Sequence, residues 1–91
     1  MQRIRKRFEI KNRLGLHARA SALLVQTVNE FSCDVKISKD DQVVNGRSII
    51  GVLTLGAARG TTIRVEAKGD DAQAALSAIE RLVNDKFGEG E

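Results

Sequence analysis

Residues 2–31 read QRIRKRFEIKNRLGLHARASALLVQTVNEF, and the period of the apolar side chains changes partway along. Over residues 2–11, Ile4, Phe8 and Ile10 share one parity, while Arg3, Arg5, Arg7, Glu9 and Lys11 share the other. Alternation with one apolar face predicts a half-buried strand. Lys6 interrupts the apolar face near its start, which leaves that end of the strand either frayed or at the rim. Asn12-Arg13-Leu14-Gly15 breaks the alternation. From Ala18 onward Ala20, Leu23, Leu24, Thr27, Val28 and Phe31 fall at helical spacings, predicting a helix from about Ala18 to Phe31.

The same two periods organise the remainder. Cys33, Val35 and Ile37 alternate with Asp34, Lys36 and Ser38, a second strand; Lys39-Asp40-Asp41 is a polar turn. Gln42–Asn45 is a short third strand ended by Gly46. Ser48 precedes Ile49-Ile50-Gly51-Val52-Leu53, a short helix weakened by Gly51. Thr61, Ile63, Val65 and Ala67 alternate with Thr62, Arg64, Glu66 and Lys68, a fourth strand stopped by Gly69. Asp70 with Gln73 fits a capping box. Ala72, Ala75, Leu76, Ile79, Leu82, Val83 and Phe87 then form a helical stripe ended by Gly88. Residues 88–91 read as a loose tail. Each strand has one apolar face and each helix one apolar stripe. The economical packing is a four-stranded sheet with three helices on one side and the other face wet.

At 91 residues the chain is expected to form one domain, with little interior to spare for a deep pocket. Its chemistry is therefore expected at the surface. No apolar run approaches a membrane span, and the basic N-terminus has no apolar block behind it, so neither a membrane segment nor an export signal is read. The one cysteine, Cys33, cannot form an internal disulfide and reads as core; the compartment expected is the cytoplasm. The net charge of +3 is uneven, with seven basic side chains and one acid in residues 1–19. A basic end suits an acidic partner, a phosphate or nucleic acid. A solvated strand face is the plainer reading of Arg3, Arg5 and Arg7.

The chain has one histidine, His17, immediately before the first helix. Histidine is a poor N-cap, so its placement departs from the local rule where Ser, Thr, Asp or Asn would serve stability. A helix N-terminus offers unpaired N–H groups and about half a positive charge, both of which favour an anion such as phosphate. The same field disfavours imidazolium and leaves the ring a lone pair with which to attack phosphorus. Arg19 supplies a permanent cation beside it.

Gly15-Leu16-His17-Ala18-Arg19-Ala20-Ser21 resembles the active-site signature of the HPr family, the histidine phosphocarriers of the bacterial phosphotransferase system. Asn45 to Gly56 resembles that family's second signature, around a regulatory serine, and Thr61 to Gly88 its last strand and helix. The resemblance implies an α+β open-faced β-sandwich of antiparallel strands, βαββαβα. It implies phosphorylation of His17 on Nδ1 by Enzyme I and transfer to an Enzyme IIA domain, in the branch serving sugar uptake or the nitrogen-related one. Arg19 matches the family's active-site arginine. Ser48 matches the serine phosphorylated by HPr kinase/phosphorylase in many bacteria, and it also reads as an ordinary N-cap. A cytoplasmic monomeric carrier that is not itself an enzyme follows, with no cofactor, metal, nucleic acid or membrane partner. Ala20 stands where the family usually has proline, and Arg47 where it usually has lysine.

Docking to two partners calls for an apolar patch beside the phosphoryl site. Ile49, Ile50, Val52, Leu53 and Leu55 cannot all face the core at helical spacing. Val52, Leu55 and one of the two isoleucines are expected inside. The other isoleucine and Leu53 are expected outside near His17, rimmed by Arg19 and Arg47; a helix buried all round is the alternative. Two other readings compete. A nucleic-acid module would stack bases on sheet aromatics, but Phe8, Phe31 and Phe87 all fall on apolar faces. An enzyme using His17 as general base would need an oriented nucleophile and a pocket.

Overall fold

The strand at residues 62–69 lies inside the sheet, paired on both edges. In a computed structural model describing residues 2–91, the elements are β1 (Gln2–Glu9), α1 (Ala18–Val28), β2 (Asp34–Lys39), β3 (Gln42–Asn45), α2 (Ile49–Thr54), β4 (Thr62–Gly69) and α3 (Ala72–Asn84). The sheet order is β1-β4-β2-β3, with every neighbouring pair antiparallel. Ile63, Val65 and Ala67 of β4 point to the helices and are fully buried, as are Ile37 of β2 and Val28 of α1. The intervening Thr62, Arg64 and Lys68 face water, and Glu66 is half-buried. The result is the open-faced α+β sandwich, with three helices on one side and a polar face on the other.

The open face explains the basic N-terminus. Arg3, Arg5 and Arg7 are exposed on it, and the first two share Glu66 across the strand pair, at 3.7 and 3.1 Å. No aromatic side chain stands on this face among the described residues: Phe8 and Phe87 are buried and Phe31 half-buried on the helix side. Lys6 does sit at the rim, where it reaches Glu80 on α3 at 2.7 Å. β1 ends at Glu9, but Ile10 stays fully buried and keeps the pairing, donating to the Thr61 carbonyl and accepting from the Gly60 N–H, each at 2.8 Å.

Three further departures from the sequence pattern have a tertiary cause. First, α1 stops at Val28 instead of Phe31. The Glu30 and Phe31 amides bond three residues back, tightening the chain into a turn. Arg47 holds that turn through the Asn29 side chain and the Phe31 and Cys33 carbonyls, at 2.8–2.9 Å. Second, the capping box at Asp70 does not form. Asp71 is the N-cap, and its side chain makes no bond to α3. Its carboxylate instead accepts the Ser32 and Cys33 amides, at 2.7 and 2.9 Å, tying the entry to β2 to the start of α3. The Ser32 amide is the main reason its carboxyl is held below the ordinary range. Third, α3 ends at Asn84. Phe87 lies in a separate 3-10 turn, Lys86–Gly88, in which Lys86 and Phe87 both adopt the left-handed region with φ near +54°. That conformation drives the Phe87 ring into the core while reversing the chain.

Candidate functional site

The loop before α1 is shaped by a glycine whose replacement is strained. Gly15 has φ +66°, and a Cβ there would lie 2.5 Å from the Ala57 carbonyl oxygen. The next amide, of Leu16, donates to that same carbonyl at 2.9 Å, and the Leu16 side chain is buried. Asn12 is fully buried beneath the loop and donates to the Gly15 carbonyl at 2.8 Å. Gly15→Ala combines a left-handed alanine, which alone costs about 1–2 kcal/mol, with that clash. A fall in Tm of roughly 5–15 °C is expected in a thermal melt of a chain this size. An unchanged melt would mean that the loop can re-form without the Ala57 contact.

This loop delivers His17 in extended backbone, with φ −74° and ψ −177°, as the N-cap of α1. The ring does the capping. Nδ1 accepts the Arg19 amide at 3.3 Å. On the other side Nε2 meets the Glu89 carboxylate at 2.5 Å. A carboxylate only accepts, so Nε2 carries the proton, and an amide only donates, so Nδ1 carries the lone pair. The two contacts require the same tautomer. They leave the Nδ1 lone pair facing the first-turn amides of α1, at the positive end of the helix.

Glu89 was not legible as a site residue, and the tail that carries it is not loose as the composition suggested. Besides His17 it takes the Asn12 amide nitrogen at 3.0 Å, and its side chain is 13% exposed against 29% for His17. Two residues on, the Glu91 carbonyl accepts the Arg13 amide at 2.8 Å, and the two side chains pair at 3.4 Å. The hydrogen bond to His17 is the main cause holding the Glu89 carboxyl below its ordinary value of 4.5; the Asn12 bond adds to it, and burial opposes it. A depressed carboxyl stabilises the fold above its unfolded value, and that contribution is lost as pH falls through the lower folded one. The tail's anchorage is thus an acid-sensitive contact that persists at neutral pH.

Arg19 is exposed and makes no ion pair within 4.0 Å among the described residues, although its charge helps to hold Glu89 ionised. Ala20 is fully buried in the first turn. Ser48 caps α2, its hydroxyl oxygen accepting the Gly51 amide at 2.9 Å. Arg47 does not join Arg19. Its guanidinium is committed at the C-terminal end of α1, while His17 stands at the other end of that 11-residue helix, about 16 Å away by helical rise. α2 therefore runs back along α1, from Arg47 at the far end to Ala57 beside Leu16. Ser48 lies away from His17, and Leu53 and Leu55 lie toward it.

The expected interior of α2 needs one correction. Val52 and Leu55 are buried, but neither isoleucine is: Ile49 is 42% and Ile50 76% exposed, with Leu53 at 36%. A six-residue helix turns less than twice, so one stripe holds only Val52 and Leu55, and Ile49 is left in the outer first turn. Leu14, three residues before His17, is 66% exposed and was not anticipated as part of an apolar surface.

Comparison with known proteins places the family and the fold. The family model for the PTS HPr component phosphorylation site matches residues 4–85. The phosphocarrier protein HPr of Neisseria meningitidis serogroup A is 47% identical over 88 residues, covering 97% of this chain and 99% of that protein. The crystal structure of HPr-C-His from Thermoanaerobacter tengcongensis superposes with a TM-score of 0.89 at 43% identity, covering 98% of each chain. A crystal structure described as an HPr dimer from the same organism gives 0.77 at 45% identity, covering 90% of this chain and 94% of that one.

Proposed function

Since the chain belongs to the HPr family of phosphocarrier proteins, we propose that it accepts a phosphoryl group on Nδ1 of His17 from Enzyme I and hands it to an Enzyme IIA domain. The observation that carries the reading is the shared tautomer demanded by the two ring contacts, which leaves Nδ1 as the nucleophile at the N-terminus of α1. In the transfer, the Nδ1 lone pair forms the P–N bond as the donor's bond to phosphorus breaks. The proton on Nε2 stays where it is. The first-turn amides and the guanidinium of Arg19 lie where the phosphoryl oxygens gather charge. The protein is a stoichiometric carrier in this scheme, and its partners catalyse.

The test is direct. Given phosphoenolpyruvate and Enzyme I, the protein is expected to gain one acid-labile phosphate, with phosphorus coupled to Nδ1 in the nitrogen spectrum of His17. No uptake, or phosphate on another residue, would overturn the reading.

The partner surface follows from the exposed apolar residues. Leu53 toward His17, with Ile49 and Ile50 farther along α2, offers a patch that a partner can bury. Arg47 serves as a positioning residue for the turn beneath Ser48. Phosphorylation of Ser48 would add about −1.5 to −2 charges at a helix N-terminus, which welcomes them, and would change the docking surface without unfolding it. Leu53→Glu is expected to weaken Enzyme I affinity about tenfold or more while shifting Tm by only a few degrees. Titration calorimetry beside a melt reads both. Normal affinity would move the docking surface elsewhere, and a collapsed Tm would make Leu53 structural.

A further inference from the structure

Resting on the reading of His17 as the phosphoryl acceptor, we propose that Glu89 is a positioning residue that keeps Nε2 protonated through the whole transfer cycle and thereby sets the pH range in which the phosphoryl group is labile. The geometry has two parts. The carboxylate reaches the ring edge opposite the nucleophilic nitrogen, so it holds the ring without obstructing Nδ1. It is itself fixed by the Asn12 amide, by the buried Phe87 ring behind it and by the backbone bond from the Arg13 amide to the Glu91 carbonyl ahead of it. A side chain on a free tail would lose several rotatable bonds on each encounter; here they are already ordered.

The chemistry gives that contact a consequence. Once phosphorylated on Nδ1, the ring is a cation when Nε2 is protonated. P–N cleavage then returns the electron pair to Nδ1 and releases a neutral imidazole still bearing its Nε2 proton. With Nε2 deprotonated the leaving group would be imidazolate, a far poorer one. An adjacent carboxylate stabilises the cation and extends to higher pH the range over which transfer is easy. The charges arranged about the ring are Glu89 at Nε2 and Arg19 on the α1 side. Arg13 and Glu91 flank the tail but neutralise one another at 3.4 Å. Glu89 remains ionised throughout, because its hydrogen bonds favour the charged form.

The experiment compares wild type, Glu89→Gln and Glu89→Ala, with Glu91→Gln as a tail control. Two readings are taken: nitrogen chemical shifts of His17 before phosphorylation, and the pH profile of hydrolysis of the phosphorylated proteins. In hydrolysis, water attacks phosphorus, the P–N bond breaks and Nε2 keeps its proton. Wild type and Glu91→Gln are expected to show a single tautomer protonated at Nε2. Glu89→Ala is expected to shift the Nε2 resonance as that nitrogen loses its carboxylate partner, while the Arg19 amide still keeps Nδ1 unprotonated. Glu89→Gln, which keeps an acceptor but loses the charge, is expected to retain the tautomer. Its labile limb should move down by about one pH unit. A hydrolysis profile unmoved in both variants, or an unmoved Nε2 resonance in Glu89→Ala, overturns the proposal, since a merely structural tail would move neither. The nitrogen shifts judge Glu89 even if no phosphate is taken up. Failure of wild type to be phosphorylated would instead strike the carrier reading.

Discussion

His17→Ala is expected to abolish phosphate uptake completely while the protein still folds. The chain has no second imidazole, so nothing can substitute in kind. The hydroxyl nearest in sequence, that of Ser21, is fully buried and donates to the Leu16 carbonyl at 3.1 Å. The stability cost is that of a cap. Losing the Nδ1 acceptor at the Arg19 amide and the Glu89 contact should remove about 1 kcal/mol, or about 4–8 °C in Tm. The measurement is acid-labile phosphate per chain after incubation with Enzyme I and phosphoenolpyruvate, beside a thermal melt. Labelling of the alanine variant equal to wild type would place the acceptor elsewhere. A variant that failed to fold would show the ring to be a core element, against its partial exposure; a His17→Asn substitution, which can still cap, would then separate chemistry from folding.

The second large effect is expected far from the nucleophile. Phe87→Ala should cost about 3–5 kcal/mol, from the lost burial and the cavity left behind. For a domain of ordinary stability, about 5–15 kcal/mol, that is a large fraction of the whole. Phe87 is the largest of the fully buried side chains, and it closes the core beneath α3 and the chain reversal. The loss should also reach the site, because the left-handed turn at Lys86 and Phe87 is what aims Glu89 at His17. Urea unfolding gives the first effect and the nitrogen shifts of His17 the second. A cost below about 1 kcal/mol would mean that the core closes without this ring.

These two residues mark where the sequence was informative and where it was not. His17 was legible because a histidine breaks the capping preference at a helix start that periodicity locates independently. The four strands and three helices were legible for the same reason, since each has an apolar face at its own period. Phe87 was read as part of α3 because its spacing from Val83 is helical. Nothing local announces that Lys86 and Phe87, neither a glycine, adopt left-handed backbone. Tertiary burial of the ring imposes it. The Glu89 contact spans 72 residues and depends on that reversal, so Gly88-Glu89-Gly90-Glu91 looked merely flexible. Asp71 was missed for a related reason. Asp70 and Asp71 are both plausible caps, and only the distant Ser32 and Cys33 amides decide which of them is used and for what.

The strand order has a consequence for the order of synthesis. β1 has a single neighbour, β4, and the register runs from Gln2 opposite Gly69 to Glu9 opposite Thr62. The first of these strands in chain order therefore waits for the last. Until β4 emerges, Phe8 and Ile10 have no strand to pair beside, and the only sheet contact a nascent chain can make is the local one between β2 and β3. Pairings of such long sequence separation form slowly once they become possible. The nascent chain thus carries an unpaired basic strand until β4 emerges, and the arginines at Arg3, Arg5 and Arg7 keep that strand repelling its copies on neighbouring nascent chains.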